Sequence, residues 1–84
     1  MNIRFDLVPI MWFRLIAKIL TIGAEKHKAD DFSGKTEEEY FNSAAGHIIA
    51  DREGIRIDPD DNQPSIVKAA TCLLIIYTKR LNNQ

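Results

Sequence analysis

The chain has 84 residues, of which 45% are hydrophobic and 27% are charged, a composition typical of one soluble globular domain. Eleven basic and twelve acidic residues give a formal net charge of -1, so the chain lacks the basic excess that attracts nucleic acid. A single cysteine, Cys72, excludes an internal disulfide, and no apolar run reaches the ~18 residues of a membrane span. We therefore expect a cytoplasmic domain with no membrane anchor, no export signal and no direct nucleic-acid binding.

The first predicted helix covers residues 9–26. Pro9 fits a first helical turn and disfavours helical geometry in the residue before it, so residues 4–9 are predicted to enter the helix as extended chain. Apolar residues then recur at helical spacing and are expected to be well covered. They are Trp12, Leu15, Ile16, Ile19, Leu20 and Ala24.

A polar loop over residues 28–35 leads to a second predicted helix at residues 36–52. Thr36 followed by Glu39 is a capping-box pattern, which marks a helix start. Gly54 is a typical helix terminator. The residues expected to face the core are Phe41, Ala44, Ala45 and Ile48.

The third predicted helix covers residues 63–81, after a turn at residues 58–62 whose short polar side chains can bond nearby backbone amides. Its stretch 69–77 (AATCLLIIY) is apolar on every side except for Thr71, and such a helix must be buried all round. Two helices from one chain cover only part of it, and a domain this small has little core of its own. We therefore predict an all-α, three-helix domain over residues 1–84, completed as a helical bundle by homodimerisation. The alternative is that the first helix wraps the third sufficiently.

Few residues suggest chemistry. His47 and Asp51 are four apart and share a helical face, which suits metal or phosphate binding, although by spacing alone a partly buried structural histidine is the favoured interpretation. Asp58, Asp60 and Asp61 could hold magnesium, which prefers oxygen ligands, but a turn followed by a helix cap is the simpler interpretation of Asp60 and Asp61.

Several segments resemble, in order and spacing, the dATP/dGTP diphosphohydrolase N-terminal domain family, which is common in bacteriophages and related to MazG-type all-α nucleotide pyrophosphohydrolases. Residues 4–9 (RFDLVP) resemble the family's R-[YF]-D-L-[IV]-P, and residues 21–27 (TIGAEKH) resemble its T-x-G-A-x-K-Y. Residues 58–70 are similar to its D-P-E-S-G-L-P-H-L-A-H-A-A. The resemblance covers about residues 4–80.

The resemblance implies magnesium-assisted attack of water on a nucleoside triphosphate. It indicates His47 and Asp58 as catalytic residues, Lys26 as a substrate-binding residue, and Glu25 and Asp58 as magnesium ligands. Asp51 joins the metal ligands through its helical face shared with His47.

The chain departs from the family pattern at four places. Gly46 replaces an arginine, residues 31–32 (DF) replace Asn-Trp, residues 53–54 (EG) reverse Gly-Glu, and Ser65 and Lys68 replace two histidines. Glycine cannot clamp a phosphate as an arginine does. The leading hypothesis is Mg²⁺-dependent hydrolysis or binding of a purine deoxynucleoside triphosphate. The alternative is a catalytically inactive relative that inhibits a host defence protein in the host-cell cytoplasm.

Overall fold

The computed structural model describes residues 1–26 in full, the backbone of His27, and residues 34–83. Three helices dominate: α1 spans Ile10–His27, α2 spans Glu37–Arg52 and α3 spans Ser65–Asn82. Two short strands, β1 at Ile57–Asp58 and β2 at Gln63–Pro64, join α2 to α3. The predicted all-α class is confirmed, and each helix end lies within two residues of its predicted position. None of the described helices is long and apolar enough to cross a membrane.

The amino-terminal segment is less extended than predicted. A single 3-10 turn forms at Phe5–Leu7, next to a pair of 2.8 Å hydrogen bonds that the Arg4 guanidinium donates to the Asp6 carboxylate. The steric effect of Pro9 is confined to Val8, which is extended, so the residues before it are free to turn.

Both ends of α2 follow the local signals in the sequence. Thr36 Oγ1 accepts the backbone N–H of Glu39 at 3.1 Å, and Glu39 Oε1 accepts the backbone N–H of Thr36 at 3.1 Å, which confirms the capping box. At the other end Gly54 has a φ of +101°. The Gly54 N–H donates to the carbonyl of Asp51, and the Ile55 N–H donates to that of Ala50. This is the Schellman arrangement, which satisfies the last helical carbonyls.

The short strands form an antiparallel pair in which Ile57 faces Pro64 and Asp58 faces Gln63. Ser65, which begins α3, is fully buried directly after this pair. Its backbone N–H donates to Arg56 O at 2.9 Å, and its Oγ donates to Ile55 O at 2.7 Å. Ser65 therefore attaches the start of α3 to the chain that leaves α2.

The core lies mainly between α2 and α3, which run antiparallel, with the start of α2 tied to the end of α3 by Arg80 and Glu37 at 2.6 Å. The buried apolar residues are Ala44, Ala69, Ile75 and Ile76. Two of these four residues are alanines. Helix α1 contacts α3 and covers another part of its circumference.

Several residues expected in the core are exposed. Trp12 in α1, and Phe41, Ala45 and Ile48 in α2, all retain substantial exposure, whereas Ala44 is buried as predicted. Helical spacing shows which residues share a face, but it does not show how far a neighbouring helix extends over that face. The carboxyl-terminal half of α1 flanks the cleft described below. The apolar side chains in the first turns of α1 are exposed to solvent.

We predict that Ser65→Ala lowers the free energy of unfolding by about 1–2 kcal/mol, because Ile55 O loses its donor in a partly buried position. Thr21→Ala is the matched control, since the exposed Thr21 hydroxyl donates to a carbonyl of its own helix and should change stability little. Urea unfolding of both variants measures the effect. Equal losses in the two variants would contradict the anchoring role of Ser65.

Candidate functional site

A cleft of about 690 Å³ opens between the carboxyl-terminal half of α1, one face of α2 and one face of α3. Its apolar lining comes from α1 and α3, chiefly Ile19, Leu20, Ile22 and Ile75. Its polar lining comes from all three helices and the adjoining loops: Thr21, Lys26, Lys35, Tyr40, Ser43, His47, Asp60, Asp61, Lys68 and Thr71. The volume lies in the range of small-molecule sites, and so does the mixture of apolar walls with a few polar groups.

The turn at residues 58–62 closes one end of the cleft. Asp58 Oδ1 accepts the backbone N–H of Asp60 at 2.9 Å, and Asp61 Oδ1 accepts that of Gln63 at 3.1 Å, as predicted for short polar side chains in a turn. Asn62 has a φ of +61°, a conformation that asparagine tolerates better than most residues. The turn is therefore well defined by bonds within itself.

Lys68 joins this turn to α3. Its Nζ lies 2.7 Å from Asp58 Oδ2 and 2.7 Å from Asp61 Oδ2. This ammonium holds the pKa of the Asp58 carboxyl below its usual range, with further support from the Asp60 N–H. Lys26 makes a second ion pair with the turn, to Asp60. Because the Lys26 and Asp60 side chains are 50% and 64% exposed, that pair contributes little to stability.

His47 lies on the α2 wall of the cleft and is half-buried. Burial lowers the pKa of His47 below its ordinary value of 6.5, and the nearby Lys68 ammonium lowers it further. Asp58 and Asp61 act in the opposite direction without reversing the shift. The imidazole is therefore neutral at pH 7 and can accept a proton or a hydrogen bond.

Two other groups shape the wall near His47. Lys35 Nζ stands 5.4 Å from the centre of the Tyr40 ring, a cation–π distance. Burial raises the pKa of the Cys72 thiol, which keeps it protonated and unreactive. Tyr40 and Cys72 thus act as wall residues at neutral pH.

The structure brings together some of the predicted site residues and separates others. Lys26 and His47 line the cleft, and Asp58 lies behind Lys68 at the end of it. Glu25 and Asp51 are not in the lining. Glu25 is exposed on α1, and the Asp51 carboxylate lies 3.7 Å from Arg56 Nε. Residues 31–32, where the chain differs from the Asn-Trp of the family pattern, lie outside the described residues.

The described carboxylates do not fit the magnesium site that the resemblance implies. All four side-chain oxygens of Asp58 and Asp61 already accept a bond, two from backbone N–H groups and two from Lys68. In the described part of the chain, no three histidine, cysteine, aspartate or glutamate residues are grouped to hold a metal ion.

Four lining residues were missed by sequence reasoning: Lys35, Tyr40, Ser43 and Lys68. Tyr40, Ser43 and His47 follow one another at helical spacing, so that face of α2 could have been found from the sequence. No sequence pattern indicated the bonds from Lys68 to Asp58 and Asp61, because these bonds form only where the turn folds back onto α3.

We predict that the stability of the chain falls as the pH drops through 6.5, because the unfolded chain then binds a proton that folded His47 resists. The fall should end below the folded pKa of His47. Thermal midpoints measured between about pH 5.5 and 7.5, where histidine is the side chain that titrates, test this in the wild type and in His47→Gln. His27 is present in both proteins, so the difference between them belongs to His47. An NMR titration of His47 with a midpoint above 6.5 would contradict the prediction.

Comparison with known proteins gives one match. The family model described as dATP/dGTP diphosphohydrolase, N-terminal, matches residues 1–84. Searches of curated proteins and of solved structures returned no match. Since the family match spans the whole chain, and the motifs over residues 4–9, 21–27 and 58–70 agree with it, the chain belongs to the dATP/dGTP diphosphohydrolase N-terminal domain family.

Proposed function

We propose that this domain binds a purine deoxynucleoside triphosphate in the cleft. The observation that carries the proposal is the make-up of the lining, in which apolar walls from α1 and α3 stand beside the ammonium groups of Lys26, Lys35 and Lys68. A nucleotide presents the same combination, a flat apolar base and a polyanionic tail. Membership of a family named for dATP and dGTP supports a purine deoxynucleotide as the ligand.

The base fits the apolar part of the lining, where Ile19, Leu20 and Ile75 offer aliphatic surface and burial of the base is favourable. The phosphates suit the lysines, because an ammonium donates up to three charge-assisted hydrogen bonds. His47, neutral at pH 7, can accept a hydrogen bond from the deoxyribose 3′-hydroxyl or from a base amino group. Each of these roles uses a side chain that lines the cleft.

Binding fits the described residues better than turnover does. Magnesium-assisted hydrolysis needs carboxylates that are available to the metal ion. Asp58 and Asp60 are each bonded to a lysine instead, and Gly46 stands where the family has an arginine. We therefore assign the cleft to recognition of the nucleotide, with no step routed through a metal.

Calorimetric titration with the four deoxynucleoside triphosphates tests the proposal. We expect dATP or dGTP to bind more tightly than dCTP and dTTP, and Lys35→Ala to weaken binding roughly tenfold through loss of a charge-assisted contact. Lys18→Ala is the matched control, since Lys18 is exposed on α1 and does not line the cleft. Equal weakening by both variants would indicate a general charge effect and would contradict a site in the cleft.

Pyrophosphate release, assayed in parallel with magnesium, separates binding from hydrolysis. No turnover is expected from the wild type. Turnover that disappears in a folded Asp58→Asn variant would overturn the assignment to binding and would support the catalytic roles that the family resemblance implies for His47 and Asp58.

Exposed apolar residues favour a second activity, protein association. On α3, Ile66, Leu73, Tyr77 and Leu81 recur at helical spacing and form one row, the outer stripe, which is 46–60% exposed. Further exposed apolar residues lie at the start of the chain: Ile3, Phe5, Leu7, Ile10 and Phe13. Helix α1 leaves this stripe exposed, which supports the prediction of a partner more than the alternative that α1 covers α3 sufficiently.

We infer that a second copy of the chain covers the outer stripe. The accessible surface is 6651 Å², whereas a folded monomer of 9.6 kDa exposes about 5,100 Å². The excess of about 1,500 Å² exceeds the ~800 Å² that each partner buries in a standard interface. The radius of gyration agrees, because 13.7 Å is larger than the ~12 Å expected for a compact chain of this length.

Sedimentation velocity is expected to give about twice the 9.6 kDa mass of the chain. Leu73→Glu should shift the protein to monomer, because the new carboxylate would lie in an apolar interface. Asn42→Glu adds the same charge at an exposed position of α2 outside the stripe and should leave the mass unchanged. A wild-type monomer would exclude self-association and leave the stripe to a different protein, as in the alternative of a phage inhibitor that binds a host protein.

A further inference from the structure

The acidic turn at the end of the cleft already holds a cation. Asp58 and Asp61 point one carboxylate oxygen each at Lys68 Nζ, both at 2.7 Å. The three side chains are only 21%, 10% and 13% exposed, in the order Asp58, Asp61 and Lys68. Two carboxylates that converge on one partly buried positive centre form the arrangement that a divalent ion would otherwise stabilise.

Lys68 is a stable occupant of this position. Burial by itself would lower the pKa of Lys68, but the hydrogen bonds to Asp58 and Asp61 outweigh it, and the pKa is raised. The ammonium therefore keeps its charge. Removing it would leave two partly buried carboxylates facing each other without a counter-charge, which is strongly unfavourable.

The ammonium also has capacity left for a ligand. It carries three N–H donors, and two of them are directed at Asp58 and Asp61. Lys68 belongs to the lining of the cleft. A phosphate oxygen in the cleft can accept a hydrogen bond from the third N–H. The same oxygen would contact a metal ion if the two carboxylates held one instead of the ammonium.

We propose that Lys68 is the resident cation of this cleft: its ammonium occupies the position between Asp58 and Asp61 that a divalent metal ion would take, and it presents a positive charge to a ligand phosphate without a metal. The contact with phosphate rests on the proposed nucleotide function, whereas the occupation of the cation position does not. The cation position is therefore tested in the absence of nucleotide.

The probe is Mn²⁺, whose free ion is followed by electron paramagnetic resonance. Wild-type protein is expected to leave the Mn²⁺ signal unchanged. Lys68→Met, which keeps the length of the side chain and removes its charge, should bind one Mn²⁺ with a dissociation constant of roughly 0.1–1 mM, the range of weak carboxylate sites. The thermal midpoint of this variant should rise with Mn²⁺, whereas that of the wild type should not.

Two control variants locate the effect. Lys26→Met removes the other lysine that pairs with the turn, through Asp60, and should behave as wild type because that pair is exposed. Adding Asp58→Asn to Lys68→Met should abolish the Mn²⁺ binding that Lys68→Met gained, since one of the two carboxylates is then neutral.

Three results would overturn the proposal. The first is Mn²⁺ binding by the wild type that Asp58→Asn abolishes, since the position would then be open to metal. The second is a folded Lys68→Met protein that binds no Mn²⁺. The third is a Lys68→Met protein that stays unfolded in saturating Mn²⁺, because the proposal requires the metal to replace the ammonium. None of these results depends on nucleotide binding. Failure of the Lys68 proposal can therefore be distinguished from failure of the nucleotide proposal.

Discussion

The apolar circumference of α3 is the constraint on which the described structure depends. Helix α2, helix α1 and strand β2 all contact α3, and each covers a different part of it. One face, with Ala69 and Ile76, is buried, and a second forms a wall of the cleft through Thr71 and Ile75. The third face is the outer stripe. Apolar surface must be removed from water to stabilise so small a domain. The same helix supplies the core, one wall of the cleft and the exposed outer stripe.

Ion pairs between lysines and the acidic turn determine the charge distribution at the end of the cleft. The acidic turn holds Lys68 through two carboxylates and Lys26 through a third, so its acids position lysines instead of remaining available to a metal ion. This arrangement reconciles membership of a diphosphohydrolase family with the altered polar positions. Where the family pattern has a histidine, Lys68 places a fixed positive charge, and where it has an arginine, Gly46 leaves none. The family model matches the whole chain, while the charges that line the cleft are those of Lys26, Lys35, Lys68, Asp60 and Asp61.

The features that could be predicted from the sequence are those set by neighbouring residues. The capping box of Thr36 and Glu39, the terminating Gly54 and the turn at residues 58–62 all involve bonds between residues at most five apart. The core residues of α2 were predicted less well. Ala44 is buried, whereas Phe41 and Ile48 are exposed, because α2 approaches α3 through its small residues. Periodicity identifies a face of a helix, but the face that a neighbour covers depends on the packing of both helices.

The sequence by itself determined the three helices, the two ends of α2, the acidic turn and the family, because hydrophobic period, turn chemistry and motif spacing act over short stretches of chain. The tertiary structure decided which side chains of distant residues meet. Asp58 meets Lys68 ten residues later only because the turn folds back onto α3, and His47 joins them only because α2 packs against that helix. A carboxylate can bind a metal ion or pair with an ammonium, so its role depends on which cation the fold brings within bonding distance.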